Sequence, residues 1–284
     1  MGRPHIEPLI DSDVSRRRFS LPGWKPGILA RTLSIDPENG SCTQVIEMPG
    51  GFRQPEGFST SEWEIFILDG ALKVGDQILR KDHYLFVPAG YHLPAMSTQQ
   101  GCKAIWFWND HYPDWTRADG HRSRSVKVQD FVSTNANDSV RWITPNFSPQ
   151  TEPGVFIKLL HFEPATGAFT GLYNMCAGFW QDNVSFHDCM EEAYHIWGES
   201  WIMQFGYLPT GGYFYRPPYI NHGPFQCEYG TYAIFRTDSW LVNHFNFNPF
   251  KTPDECRQDV IATMRAKQPN LMDWVFLHAD EFVP

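Results

Sequence analysis

The first half of this 284-residue chain recurs in the second at an offset of 127 to 129 residues. Self-similarity at a fixed period constrains a fold more than any local pattern, because one supersecondary arrangement must suit two different stretches of sequence. Gly27 to Leu33 answers Gly154 to Leu160, and Asp36, Gly40 and Thr43 answer Glu163, Gly167 and Thr170. Gly51 and Phe52 fall opposite Gly178 and Phe179. After a one-residue insertion, Ser59, Trp63, Glu64 and Gly70 stand opposite His187, Glu191, Glu192 and Gly198, and Pro88 opposite Pro217. Two similar barrels in tandem are expected, residues 1–120 and 121–284, joined by the polar stretch from Asp114 to Asn137.

The texture between these landmarks is that of short strands. Glu64 to Leu68, Tyr84 to Val87 and Ala104 to Trp108 are apolar, β-prone runs bounded by Gly, Asp and Pro. Aromatic residues make up 15% of the chain, which also carries 22 Gly and 22 Pro, so an all-β fold of turns and paired sheets is expected. Arg3 to Glu7 and Ser125 to Gln129 are expected to open the two repeats as outer strands. A single short helix is expected from Thr252, with Pro253 at its first position, Glu255 completing a capping box, and Val260, Ile261 and Met264 on one face.

Composition also narrows the class of partner. A formal net charge of -9 argues against nucleic acid, whose phosphates demand concentrated Lys and Arg. Six cysteines without a Cys-x-x-Cys pair favour neither a zinc ribbon nor a disulfide framework, so a reducing, cytoplasmic setting is expected. The arginines Arg16 to Arg18 are not followed by an apolar segment, so no export signal is read there, and no apolar run approaches the roughly 20 residues of a membrane helix. A small molecule is the expected partner, and self-association remains open.

The chemistry concentrates between Phe186 and Gly198, where His187 stands four residues before Glu191. An imidazole and a carboxylate at that spacing can both donate to a divalent ion from one wall of a barrel. His222, in the proline-rich corner after Arg216, is the expected third donor. The pattern His-x3-Glu-x6-Gly followed by a Pro-containing corner ending in His resembles the two motifs of the cupin superfamily. The Glu191-Glu192 pair and the Pro217-Pro218 corner look most like the small cupins of zinc-binding anti-sigma factors and of acetylacetone and dihydroxyacetophenone dioxygenases. This resemblance implies a bicupin of two jelly-roll barrels. The first histidine of the common His-x-His form is replaced by Ser185, which leaves three protein ligands.

The repeat serves as an internal control on this reading. Ser59, Trp63 and Leu93 occupy the first-half positions of His187, Glu191 and His222, with His92 as an alternative third donor, so metal is expected in the second half alone. Strand alternation turns Glu192 away from Glu191 and towards a solvated or salt-bridged role, while His195 and Trp197 share the inward parity of Glu191. His195 is read as a proton carrier or a core histidine, Tyr173 as a hydroxyl lining the cavity or a packed side chain, and Cys189 as inert. Two histidines and one carboxylate leave coordination positions open, as non-haem Fe(II) oxygenases require. The resemblance therefore implies an Fe(II) dioxygenase acting on a small chelating diketone, hydroxyketone or organic acid. Zn, Mn or Ni in the same ligands would give an isomerase or lyase, and a metal-binding regulatory sensor is the alternative from another class.

Overall fold

The computed structural model describes residues 2–117, 132–133, 141–143, 154–181 and 184–246, with scattered positions between 255 and 270. It is all-β, built on two curled sheets of 9 and 10 strands. The chain divides into two compact units, Met1–Arg3 with Asp13–Val140 and Pro4–Ser12 with Arg141–Pro284. The expected boundary at residue 120 and the segment Ser125 to Gln129 lie outside the described residues.

The repeat is carried through to topology. In the first unit the strands run in the order His83–Val87, Trp63–Val74, Cys102–Trp108, Cys42–Met48, Leu29–Ile35. In the second the order is Gly212–Arg216, Glu191–Ile202, Thr231–Thr237, Phe169–Met175, Val155–Phe162, and each strand is the repeat partner of its counterpart. Even the irregularities recur. Pairing shifts by one residue at Leu33 and again at Leu160, and at Leu68 and again at Ile196. A bulge bends a strand and re-aims the side chains beyond it, so its conservation between halves marks a requirement of the curl.

The glycine that closes the histidine–glutamate motif has a steric reason. Gly198 sits at φ 86°, and a Cβ there would lie 2.0 Å from the carbonyl oxygen of Gly230; at Gly70 the corresponding approach, to Gly101, is 2.3 Å. Only glycine tolerates both the left-handed backbone and that contact.

One outer strand departs from expectation. Ile6–Ile10 pairs antiparallel with Gly212–Arg216 and so extends the second sheet, not the first. Val132–Ser133, which precedes the second repeat, pairs with His83–Val87 of the first sheet. Each leading segment thus borders the other repeat's sheet, a crossing that local hydrophobic pattern does not encode. Of the expected helix, Glu255, Gln258, Asp259, Ala262, Arg265 and Ala266 are helical, whereas Thr252, Pro253 and the apolar side chains Val260, Ile261 and Met264 lie outside the described residues. No helix among the described residues is long and apolar enough to cross a membrane.

The two interiors differ in kind. In the first unit Trp24, Trp63, Trp106, Trp108 and Trp115 interlock, with ring centroids 4.8–5.6 Å apart along the chain of contacts. Such indole packing fills the curl with apolar bulk. In the second unit the smaller set Ile157, Tyr173, Ala193, Phe214 and Phe235 leaves a cavity of about 110 Å³.

Candidate metal centre

The cavity of the second unit is where His187, Glu191 and His222 meet, with one donor atom from each lying within 4.8 Å of the others. Three backbone hydrogen bonds set this geometry. Ser185 and His222 exchange both N–H···O bonds, at 2.8 and 2.9 Å, and the Tyr219 N–H donates to the His187 carbonyl at 2.7 Å. The corner bearing His222 is thereby fastened to the turn bearing His187. Tyr219 accepts a left-handed φ of 69° to make that bond, a local strain held by the surrounding structure.

Both imidazoles are oriented by carbonyls. His187 Nδ1 lies 3.3 Å from the Val242 carbonyl oxygen, and His222 Nδ1 lies 3.0 Å from that of Ile220. A carbonyl oxygen only accepts, so Nδ1 carries the proton in each ring and the Nε2 lone pair is left available. His187 Nε2 stands 3.6 Å from Glu191 Oε2, and the two rings are 4.9 Å apart. The donor set fits a divalent ion: two neutral nitrogens and one carboxylate, converging and already aimed.

Glu191 is also held by Arg216, whose Nη1 donates at 2.8 Å to Oε2, the same oxygen that faces His187. The two residues are direct cross-strand partners, so their side chains share a face. Arg216 in turn grips Glu7 through both Nε, at 2.7 Å, and Nη2. Burial would raise the Glu191 carboxyl, but the His187 ring beside it and the Arg216 guanidinium hold it well below the usual carboxylate range. Burial, aided by Arg216, lowers His222 and favours the neutral ring that ligation needs.

Tyr173 and His195 form a second pair. Tyr173 lines the cavity, and its hydroxyl lies 3.0 Å from His195 Nε2. His195 itself is fully buried behind Tyr173 and does not line the cavity; burial pulls its pKa down to about 3, so the ring is neutral. Burial, and then the Glu191 charge, raise the Tyr173 hydroxyl, which keeps its proton. Cys189 is buried and its thiol pushed up to about 12 by burial and the Glu191 charge, the condition of an inert thiol.

The far face of the same strand is equally specific. Glu192 is fully buried, accepting from the Tyr213 hydroxyl at 2.7 Å and from Arg236 Nη1 at 3.1 Å, so its role is the salt-bridged one rather than the solvated one. The first repeat preserves this arrangement, with the Tyr84 hydroxyl donating to Glu64. Trp197 does not share the inward face of Glu191: the bulge at Ile196 reverses parity, and beyond it Ser200 and Ile202 line the cavity.

The equivalent place in the first unit is closed. Gly57 bridges Leu93 as Ser185 bridges His222, so Leu93 rather than His92 occupies the third position. Ser59 bonds to Asp114, Trp63 and Leu93 are core residues, and Val87 stands opposite Trp63 where Arg216 stands opposite Glu191. Among the described residues, His187, Glu191 and His222 form the one cluster with metal-ligand geometry.

Sequence reasoning missed Arg216 and Glu7. Arg216 was within reach of the repeat, since Val87 against Arg216 is the same apolar-for-polar exchange as Trp63 against Glu191. Glu7 carried no such signal, because nothing in its local pattern assigns its strand to the second sheet.

Comparison with solved structures finds the same fold, two curled antiparallel sheets, in several proteins. The chain is similar to a Nostoc punctiforme protein described as a candidate dioxygenase, at 19% identity and a TM-score of 0.74, covering 87% of each chain. It is also similar to Ylba of E. coli, at 14% identity and a TM-score of 0.56 over 81% of this chain and 89% of that one. Bacillus subtilis oxalate decarboxylase, in a deletion mutant, aligns at 11% identity and a TM-score of 0.53 over 84% and 79%. The chain belongs to the family described as Domain of unknown function (DUF4437), whose model matches residues 24–243. No curated protein matches the sequence.

Proposed function

We propose that the protein is a metal-dependent cupin enzyme, a tandem of two barrels of which the second holds a divalent ion on His187, Glu191 and His222. The observation that carries this reading is the fixing of both Nδ1 atoms by carbonyls, which leaves two Nε2 lone pairs and a carboxylate converging on one point. An ion held there supplies Lewis acidity and open positions for a chelating substrate, and iron(II) would add the chemistry of dioxygen. Arg216 holds Glu191 in place through a hydrogen bond to Oε2. The apolar wall keeps water from the bound substrate, and the Tyr173 hydroxyl, backed by neutral His195, offers a hydrogen-bonding group within the cavity.

Iron(II) dioxygenation of a small diketone, hydroxyketone or organic acid is the leading reaction, in a cytoplasmic setting. A manganese-dependent lyase is the second, favoured by the fold likeness to the Bacillus subtilis oxalate decarboxylase, which is described with Mn(II) centres. Metal analysis of protein purified without added metal, followed by oxygen uptake with small diketones and hydroxyketones, tests the proposal. Metal at about one ion per chain with substrate-dependent uptake supports the oxygenase. Bound metal without uptake turns the reading to the lyase, and protein that neither carries nor takes up metal removes both.

A further inference from the structure

The charge of the second unit's cavity is set by a residue from the far end of the sequence. Glu7 lies in the leading strand that pairs with Gly212–Arg216, its side chain is 1% exposed, and both its oxygens are engaged by Arg216. Among the described residues that line the cavity, Arg216 is the one permanent cation, and each of its three nitrogens donates to Glu7 or Glu191. Three of its five N–H groups are thereby used, and its one positive charge is shared between two carboxylates. The other polar residues of the wall, among them Tyr173, Gln181, Ser200 and Asn243, carry no charge.

On the reading that a divalent ion sits on His187, Glu191 and His222, that ion together with Glu191, Glu7 and Arg216 leaves a single net positive charge in a buried space. One negative charge on a ligand neutralises it; a second would be an uncompensated buried charge, which is strongly unfavourable. Ile157, Phe214, Phe235 and Leu241 line the same cavity and accept an apolar body. We infer that the cavity selects compact monoanionic chelators with an apolar end over dianions of equal size, and that Glu7 sets this preference.

Pyruvate and oxalate form a suitable pair of probes, since both chelate through two oxygens and differ by a methyl group in place of a carboxylate oxygen. Binding of each to the Mn(II)-loaded full chain is measured by water-proton relaxation and divided by its affinity for aqueous Mn(II), which removes the intrinsic advantage of oxalate as a chelator. The corrected affinity for pyruvate should exceed that for oxalate by about tenfold or more in the native chain. Glu7→Gln, which keeps an acceptor for Arg216 and removes one negative charge, should narrow or invert that ratio. Retained Mn(II) with corrected oxalate binding as tight as pyruvate binding overturns this inference and leaves the metal site standing, as does a ratio unmoved by Glu7→Gln. A native chain that holds no Mn(II) overturns the metal reading and this inference together. Should Glu7→Gln not fold, the comparison of the two probes on the native chain decides alone.

Discussion

Arg216 Nη1 donates to Glu191 Oε2 at 2.8 Å while Nε and Nη2 of the same guanidinium bind Glu7. One buried cation is thereby shared between a carboxylate beside two imidazoles and a carboxylate from the leading strand. Removing it leaves two buried carboxylates without their guanidinium, beside only the imidazoles of His5 and His187. Arg216→Met should therefore destabilise the second unit by about 3–5 kcal/mol, and adding Glu7→Gln should restore part of that loss. Chemical denaturation of the two single variants and the double variant measures the coupling; strict additivity would contradict it.

His187→Ala and His222→Ala should each abolish metal retention and leave the β-sheet signal in circular dichroism unchanged. A catalytic-type ion adds less to folding than a structural zinc does, and the strands are held by ladders that neither imidazole joins. Full metal occupancy in both variants would contradict the ligand assignment.

Glu191 and Glu192 separate two effects on adjacent residues. Glu191→Gln should weaken metal binding by roughly tenfold or more through loss of a charged donor. Glu192→Gln should leave metal affinity nearly unchanged but lower stability by about 2–4 kcal/mol, because Arg236 would lose the buried carboxylate it donates to. Metal titration and denaturation of both variants should show this exchange of phenotypes, and metal loss in Glu192→Gln alone would reverse the strand register.

Glu199 gives the second unit a pH dependence of definite sign. Burial pushes its carboxyl up from 4.5 to about 7 despite hydrogen bonds from the Glu228 and Tyr229 N–H groups. Between pH 4.5 and 7 the folded chain holds a proton that the unfolded chain has released, so this residue's contribution to stability is full below 4.5 and declines as pH rises to 7. Glu199→Gln should flatten that part of the stability curve, and an unchanged slope would contradict the assignment.

Much of the fold was legible because the repeat places strands without any need to know their partners. Once Glu64 to Leu68 and Tyr84 to Val87 read as strands, their counterparts followed, and the ligand triad stood out as the place where the halves differ. Three things were hidden for physical reasons. The bulge at Ile196 reverses side-chain parity with no compositional mark, which misplaced Trp197. The crossing of the leading strand depends on long-range pairing, so Glu7 could not be connected to Arg216. The outer face of Glu191–Ile202 is buried as well as the inner one, so Glu192 became a buried ion pair where alternation alone allowed water.

The most direct test of the account is anomalous diffraction from crystals of the full chain grown with Mn(II) or Fe(II), collected on both sides of the metal edge. The account predicts one strong anomalous peak about 2.0–2.3 Å from His187 Nε2, His222 Nε2 and a Glu191 carboxylate oxygen, with none beside Ser59, Trp63 and Leu93. A peak at His92, or an ordered His187-Glu191-His222 cluster without anomalous density at saturating metal, would contradict it.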